Sequence, residues 1–513
     1  MSRLILAHDL GTTGNKATLF GDDGALHATS FSGYETRYPA VNWAEQNPED
    51  WWNAFCRSTH ELLRRSGASP DAIAGIGFSG QMMGCLPVDA GGRPLRPAII
   101  WADQRAEREA AFLRERIGEE AVYRSTGHRI SPAYSLAKIL WVRGHEPDVF
   151  KQTHKVLHAK DYLVHRLTGA FATDFSDASG MNLFDLEARR WAQPILDAVG
   201  LPPDILPDLH PSTAVVGEVR RGAAEETGLA PGTPVVVGGG DGACAAAGAG
   251  VVREGSAYNY IGTSSWIALA SPSPIYDPER RTFNFHHLDP KMIMPTGTMQ
   301  AAGGSYQWFR NQLGGLEVQE ARSRGVDPYE ILDREAASVL PGADSLLFLP
   351  YLMGERAPHW NPRARGAFIG LGITHTRAHM ARAVLEGVAL NLRIILDAFR
   401  RQGAQIQKMR LIGGGARGRA WRQIMADVYG LPILRPRLLD EATSLGAAIA
   451  GGIGVGIFPD FGVAERLVEI VEEQRPDPHA HARYERLYPI FCAAYESLVP
   501  VFERLAEPNP SSE

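Results

Sequence analysis

Cysteine is scarce. The 513-residue chain has four, Cys56, Cys85, Cys244 and Cys492, widely separated and without a CxxC pair. That spacing excludes a disulfide framework and offers no structural zinc site, so a reducing, cytoplasmic setting is the expectation. An excess of positive charge is missing too. Lys and Arg number 52 against 58 Asp and Glu, for a formal net charge of −6, the reverse of the balance that grips a phosphate backbone; nucleic acid is not expected as a partner. Long apolar runs are also absent. Leu4 to Ala7 meets His8 and Asp9 too early for the apolar region of a signal peptide. Val235 to Val252 contains Asp241, Leu445 to Phe458 spans only fourteen residues, and both are Gly-rich; no membrane association is expected.

What is present is globular. Hydrophobic residues make up 44% and charged ones 21%, near the averages for packed domains. At roughly 150 residues per domain the length admits two to four domains. An apolar strand at Leu4 to Ala7 leads through Asp9 and a Gly-Thr-Thr-Gly loop to a strand around Ala17 to Phe20, and a GDDG turn leads to a third. The pattern recurs at Ala257 to Ile261, Gly262-Thr263-Ser264-Ser265 and Trp266 to Ala270. Gly11 and Gly262 lie 251 positions apart, close to half the chain, as in a protein of two related halves. The boundary is expected near residue 250, giving domains 1–250 and 251–513. Strands at Ile73 to Phe78 and Pro97 to Trp101 and a helix at Arg105 to Ile117 argue for an α/β fold. Thr374 or Thr376 caps a long helix through Arg401, with Gly403 as its stop. His375 and His379 lack a third ligand and the HExxH glutamate, and are read as capping or surface residues, not metal ligands. The tail EPNPSSE from Glu507 reads as frayed.

Four segments can carry chemistry. Asp9-Leu10-Gly11-Thr12-Thr13 presents backbone N–H groups and two hydroxyls beside a carboxylate. Amides and hydroxyls suit phosphate, and a carboxylate there calls for a cation such as Mg²⁺ between them. Its echo at Gly262-Thr263 suggests two loops gripping one nucleotide. Asp241, after Val235-Val236-Val237 and three glycines, is the sole charge from Val235 to Val252; it reads as a general base for an alcohol, or as a plain N-cap. Gly413-Gly414-Gly415 follows the strand Met409 to Ile412 and opens a helix, where adenosine could lie. Its GxGxxG match leaves an NAD-dependent dehydrogenase open, although the strand after it ends in Arg435-Pro436, not in a ribose-binding acid. Met82-Met83 and Trp101-Ala102-Asp103 close two strands; Trp101 offers a face to a carbon skeleton and Asp103 an acceptor to hydroxyls, as a polyol site would.

Taken together, the chain resembles the FGGY family of carbohydrate kinases, of the actin and hexokinase type of ATPase fold. The blocks are DLGTT (9–13), SGQMMG (79–84), RPAIIWADQRA (96–106), LTGAFATDFSDASG (167–180), GGGDGACAAAG (238–248), YIGTSSW (260–266), LPYLMGERAPHWNP (349–362), RGAFIGL (365–371) and IGGGARGRAWRQIMAD (412–427). Residues 349–390 most resemble xylulokinases. The resemblance implies two ribonuclease H-like domains around an interdomain catalytic cleft, with ATP and Mg²⁺ as cofactors. It implies Asp241 as catalytic base, Asp9 as metal-side carboxylate, and Gly11, Thr12, Thr13, Gly262 and Thr263 along the phosphates. Gly303, Gln307, Gly414 and Gly415 would border the nucleotide, and Met82, Met83, Trp101, Asp103 and Asp241 the sugar. Three departures stand out: Met82-Met83 where xylulokinases usually have Met-His, Gly242 where they commonly have Asn, and a partly met Ser135 to Trp141 signature. The expected reaction is ATP-dependent phosphorylation of a terminal hydroxyl of a ketopentose such as D-xylulose, with ribulose, gluconate or a tetritol as alternatives. An ATP-switched binding protein is the non-enzymatic alternative, and a homodimer is compatible with all of these.

Overall fold

The computed structural model describes residues 3–507, so the tail expected to fray lies, apart from Glu507, outside the described residues. Leu4–Leu10 (β1), Gly14–Gly21 (β2) and Leu26–Gly33 (β3) form the predicted meander. β1, LILAHDL, is buried along nearly its whole length, because β2 runs antiparallel on one side and Ile73–Gly80 (β4) parallel on the other. A central strand covered on both faces needs a continuous apolar run instead of an alternating one. Val215–Glu218 (β5) and Pro234–Val236 (β6) extend the sheet to the order β5-β6-β4-β1-β2-β3.

The second sheet comprises Ser256–Ile261 (β7), Ser265–Leu269 (β8), Phe283–His286 (β9), Ile293–Met299 (β10), Lys408–Ile412 (β11), Ile433–Pro436 (β12) and Ile470–Gln474 (β13), ordered β9-β10-β8-β7-β11-β12-β13. From β3 to β5, successive neighbours are antiparallel, antiparallel, parallel, parallel and antiparallel. From β10 to β13 the directions repeat in the same order. The halves are therefore two copies of one ribonuclease H-like topology, and the loops at 11–13 and 262–264 occupy equivalent bends. Such mixed sheets are incompatible with the parallel doubly wound sheet of a dinucleotide-binding dehydrogenase.

The halves meet through two helices made of small residues, Asp241–Gly248 (α1) and Ala442–Gly454 (α3); between them in sequence runs Arg377–Arg401 (α2). A Cβ on Gly248 would stand 1.7 Å from the Ala442 carbonyl oxygen, and one on Gly446 1.9 Å from that of Cys244. α3, although from the second half of the chain, also packs on the first sheet, where a Cβ on Gly77 would lie 2.2 Å from the Ala447 oxygen. Backbones can approach this closely only where side chains are missing. Ile5, Cys244, Tyr258 and Leu445 share one apolar cluster across the junction.

α2 begins as expected, with Thr376 at its cap and His379 Nδ1 accepting the Thr376 amide at 3.2 Å. Gly403 follows its end at φ +90°. Two local expectations need correction. The strand predicted at Pro97 to Trp101 exists only as Ala98–Ile99, which pairs with the two-residue Glu45–Gln46; a partner that short leaves the flanking residues without a ladder. The helix expected from Arg105 starts at Glu107, because the Arg105 amide is held by Asp103 Oδ1 at 2.9 Å. Among the described residues no helix is long and apolar enough to cross a membrane.

Candidate active site

The register of β4 brings the candidate catalytic carboxylates together. On one side Asp9 of β1 pairs with Ser79; on the other, Gly239 and Gly240 pair with Ser79 and Gly80. Asp9 and Asp241 thus flank the C-terminal end of one strand, the end at which open α/β sheets gather ligands. Ser79 Oγ donates to Asp9 Oδ1 at 2.9 Å. Asp241 is the first residue inside α1, after Gly240 at the cap position, so the plain N-cap reading does not hold. Its Oδ1 accepts the Gly242 amide at 2.7 Å. The Gly240 amide in turn donates to Ser176 Oγ at 3.0 Å, and that hydroxyl is bound to the Asp174 carboxylate, which fixes the backbone from which Asp241 projects. Removal from water, followed by the negative charge of Asp9, pushes the Asp241 carboxyl up to about 7. Removal from water also raises Asp9, against the Ser79 hydroxyl and the Lys16 ammonium. A buried carboxylate held above its ordinary range, as Asp9 is, suits a divalent cation, and Asp241 beside it is raised by burial and by the Asp9 charge.

In the second half, Tyr260 of β7 pairs with Ile412 of β11, so the loops that follow these strands leave at the same edge. A cavity of about 730 Å³ there is lined by Gly262, Thr263, Gly303, Gln307, Gly414 and Gly415, together with Tyr306, Asp333, Arg417 and Trp421. All six residues expected around the nucleotide from this half thus line one cavity. A second cavity of about 540 Å³, lined by Asp9, Lys16, Tyr260, Gly413, Gly414 and Asp440, lies between the halves. Gly414 borders both, and a Cβ on it would meet nothing within 4 Å; an extended ligand could pass from the first cavity along this glycine to Asp9. Gly303 N–H is already spent on the Gly262 carbonyl at 2.9 Å, so Gly303 shapes the loop. In the first half, the Gly11 amide donates to the Gly14 carbonyl at 3.0 Å, Gln46 holds the Thr12 carbonyl at 2.7 Å, and Thr13 is exposed.

Among the residues expected to hold the sugar, Met82 lies against the Asp241 loop: a Cβ on Gly240 would stand 2.5 Å from its Sδ. Met83 is half-buried with φ +63°. Trp101 is 37% exposed and its indole N–H donates to Thr12 Oγ1 at 2.9 Å. Asp103 departs from expectation. It is fully buried; Oδ2 accepts the Ala44 amide at 2.6 Å and Arg105 Nη2 at 2.7 Å, while Oδ1 accepts the Arg105 amide. With both oxygens committed to protein donors it braces the Trp101 loop and has no acceptor left for a sugar hydroxyl.

One buried cluster has metal-ligand spacing, His158, Asp161 and Asp177. The Lys160 ammonium sits in its midst, 2.7 Å from Asp161, 3.1 Å from Asp174 and 3.3 Å from Asp177, and supplies the cation itself. Sequence reasoning assigned no role to Ser79, Ser176, Tyr260 or Lys16, whose ammonium crosses between the halves to the Asp440 carbonyl at 2.7 Å. Ser176 lies inside a block carrying the family resemblance, but only the register that brings it to Gly240 reveals its use.

Comparison with known proteins settles the family. The model of the N-terminal domain of FGGY family carbohydrate kinases matches residues 4–248, and that of the C-terminal domain residues 257–455. The chain belongs to the FGGY family of carbohydrate kinases. It is 35% identical to the xylulose kinase of Escherichia coli strain K12, over 96% of this chain and 99% of that protein. It is 32% identical to the gluconokinase of Bacillus licheniformis, over 99% of this chain and 98% of that protein. The crystal structure of xylulose kinase from Rhodospirillum rubrum superposes with a TM-score of 0.90 at 33% identity, covering 98% of this chain and all of that one. As an FGGY protein the chain is a sugar kinase, a phosphotransferase acting on an alcohol group, and not a dehydrogenase or a non-enzymatic switch.

Proposed function

We propose that this FGGY kinase transfers the γ-phosphoryl group of ATP to a terminal hydroxyl of a ketopentose such as D-xylulose, with Asp241 as general base. The observation that carries the reading is the Asp241 carboxyl, raised to about 7 beside Asp9 at the end of β4. A base tuned near the working pH is ionised often enough to act and basic enough to take a hydroxyl proton. Asp241 removes that proton as the sugar oxygen forms its bond to the γ-phosphorus; the bond from phosphorus to the β-bridging oxygen breaks, and ADP departs with that electron pair. Asp9 would hold Mg²⁺, leaving the neighbouring Asp241 free to take the proton. Bound there, the ion would neutralise charge on the transferring phosphates. Gly11, Thr12 and Thr13 would face those phosphates from the first half, Gly262 and Thr263 from the second. Gly414 and Gly415, with Gln307, would border the adenosine in the larger cavity, and Gly303 would keep the Gly262 loop in shape.

A second acceptor, gluconate, is favoured by specific features. Gluconokinase relatives match as fully as xylulose kinases do. At Met83 and Gly242, moreover, this chain lacks two hydrogen-bonding side chains common in xylulokinases. ADP release measured with D-xylulose, D-ribulose, gluconate and tetritols in turn tests both. Turnover on D-xylulose exceeding all others supports the first reading; preference for gluconate replaces it with the second. ATP hydrolysis indifferent to every acceptor would refute the role given to Asp241.

A further inference from the structure

The Ser135 to Trp141 stretch, which only partly meets its family signature, contains a lysine that the mechanism leaves unused. Lys138 lies in the helix Ser135–His145 and is fully buried. Among the described residues no carboxylate is within ion-pair distance of it. Its Nζ instead donates to three backbone carbonyls, those of Met83 at 2.8 Å, Ile100 at 2.8 Å and Ala133 at 2.6 Å. Those carbonyls belong to three separate segments. Met83 is held at φ +63°, a conformation that a side chain with a Cβ resists without external restraint. Ile100 immediately precedes Trp101, whose indole reaches Thr12. Ala133 precedes Tyr134, whose hydroxyl meets His128 Nδ1 at 3.0 Å.

An ammonium group has three N–H donors and can satisfy three carbonyls; a neutral amine has two. Burying the charge beside neutral oxygens alone is costly, a cost not expected at a site where an apolar side chain would serve equally well. Burial lowers the Lys138 pKa to about 7; Asp103 and Cys85 oppose the shift, and Arg105 and Arg356 add to it. Around neutral pH the third donor is therefore lost as pH rises.

We propose that Lys138 is a positioning residue of the acceptor site: its ammonium ties the Met83, Ile100 and Ala133 carbonyls together and so sets the gap between the Met82-Met83 loop and Trp101 into which the sugar fits. The inference rests on reading those residues as the sugar side of the site. A slackened clamp would loosen chiefly the sugar side, because the residues lining the larger cavity belong to the other half, with Trp101 and Thr12 as its link to the phosphate loop.

The test is steady-state kinetics of wild type and Lys138→Met with the best acceptor from the panel, varying sugar and ATP separately across pH. In Lys138→Met the freed segments must be drawn together as the sugar binds, and a penalty on the order of an unpaired buried carbonyl, roughly 5- to 150-fold, falls on that step, so KM for the sugar is expected to rise by about 10-fold or more, with KM for ATP within about twofold of wild type. In wild type, KM for the sugar is expected to climb above about pH 7, and in Lys138→Met this alkaline rise disappears, whereas the acid limb belonging to Asp241 remains in kcat. An unchanged sugar KM in the variant, or equal rises for sugar and ATP, overturns the clamp. Should the variant not fold, Lys138→Gln, which keeps two N–H donors, is expected to raise the sugar KM by a smaller factor, and a Lys138→Gln sugar KM equal to wild type overturns the clamp. A wild type active on no acceptor refutes the proposed function itself; normal turnover with an unmoved sugar KM refutes only the clamp.

Discussion

Replacing Asp241 by Asn separates the chemistry of this site from its stability cost. The fold holds the Asp241 carboxyl at about 7 against an ordinary value of 3.8, so between roughly pH 4 and 7 the folded chain keeps a proton that the unfolded chain has released. Stability must therefore fall as pH rises through that window. Asn cannot ionise, so the variant escapes the loss. The gap from 3.8 to about 7 corresponds to about 4 kcal/mol when converted in full. Asp241 is only half-buried, and water reaching it should reduce the gain to about 1–2 kcal/mol. Asp241→Asn is thus expected to melt at a higher temperature than wild type at pH 8, with the difference closing towards pH 4. Losing a general base typically costs 10²- to 10⁴-fold in rate, so kcat should collapse while ATP binding stays nearly intact. Thermal unfolding of the ligand-free protein at several pH values, together with ADP release and ATP titration, supplies the readouts. A variant that keeps more than about a tenth of wild-type kcat, or whose stability difference is the same at acid and alkaline pH, would refute the reasoning.

Much of the candidate site could be assembled from the sequence because the residues proposed for it sit in short local motifs. The DLGTT loop, the GGGD turn and the GGG loop each join an apolar strand to a glycine-rich bend, and strand ends are where ligands collect. The two-halved plan was legible from the spacing of two Gly/Thr loops, and the sheets repeat the same strand directions. What stayed hidden depends on register between distant segments. Ser176 serves the Asp241 loop only because Gly239 and Gly240 pair with the end of β4. Lys138 looks like an ordinary helix residue until Met83, Ile100 and Ala133 converge on it. Asp103 misled for the converse reason. An aspartate beside a tryptophan at a strand end has the composition of a polyol site, but the Arg105 two positions on folds back and, with the Ala44 amide, consumes both oxygens. The attachment of α3 to the first sheet was invisible as well, since a Gly/Ala-rich helix advertises close packing without naming its partner.

The remaining expectations probe separate parts of the molecule. Asp9→Ala should weaken productive Mg·ATP positioning, seen as a raised Mg²⁺ requirement for turnover; an unchanged Mg²⁺ dependence would contradict the role given to Asp9. Gly414→Leu should raise KM for ATP without lowering the melting temperature, because a Cβ there meets nothing within 4 Å whereas a longer side chain enters both cavities; a KM equal to wild type would move the nucleotide elsewhere. Gly248→Val should destabilise the fold by several kcal/mol or block expression of folded protein, since its Cβ would sit 1.7 Å from the Ala442 oxygen; a normal melting temperature would mean that the α1–α3 crossing is looser than it stands here. Met83→His addresses the acceptor. A thioether gives no donor and only a weak acceptor, so a sugar hydroxyl that an imidazole would bind must turn to backbone or water, and Asp103, with both oxygens taken, cannot replace it. An unpaired buried hydroxyl costs roughly 1–3 kcal/mol, about 5- to 150-fold in affinity. Restoring the imidazole should therefore raise kcat/KM for D-xylulose relative to gluconate and the polyols, measured by competition between acceptors. If wild type already prefers D-xylulose and Met83→His leaves that ratio unchanged or lowers it, the pair of methionines does not set specificity. The discrimination must then come from Gly242 and from the gap beside Trp101.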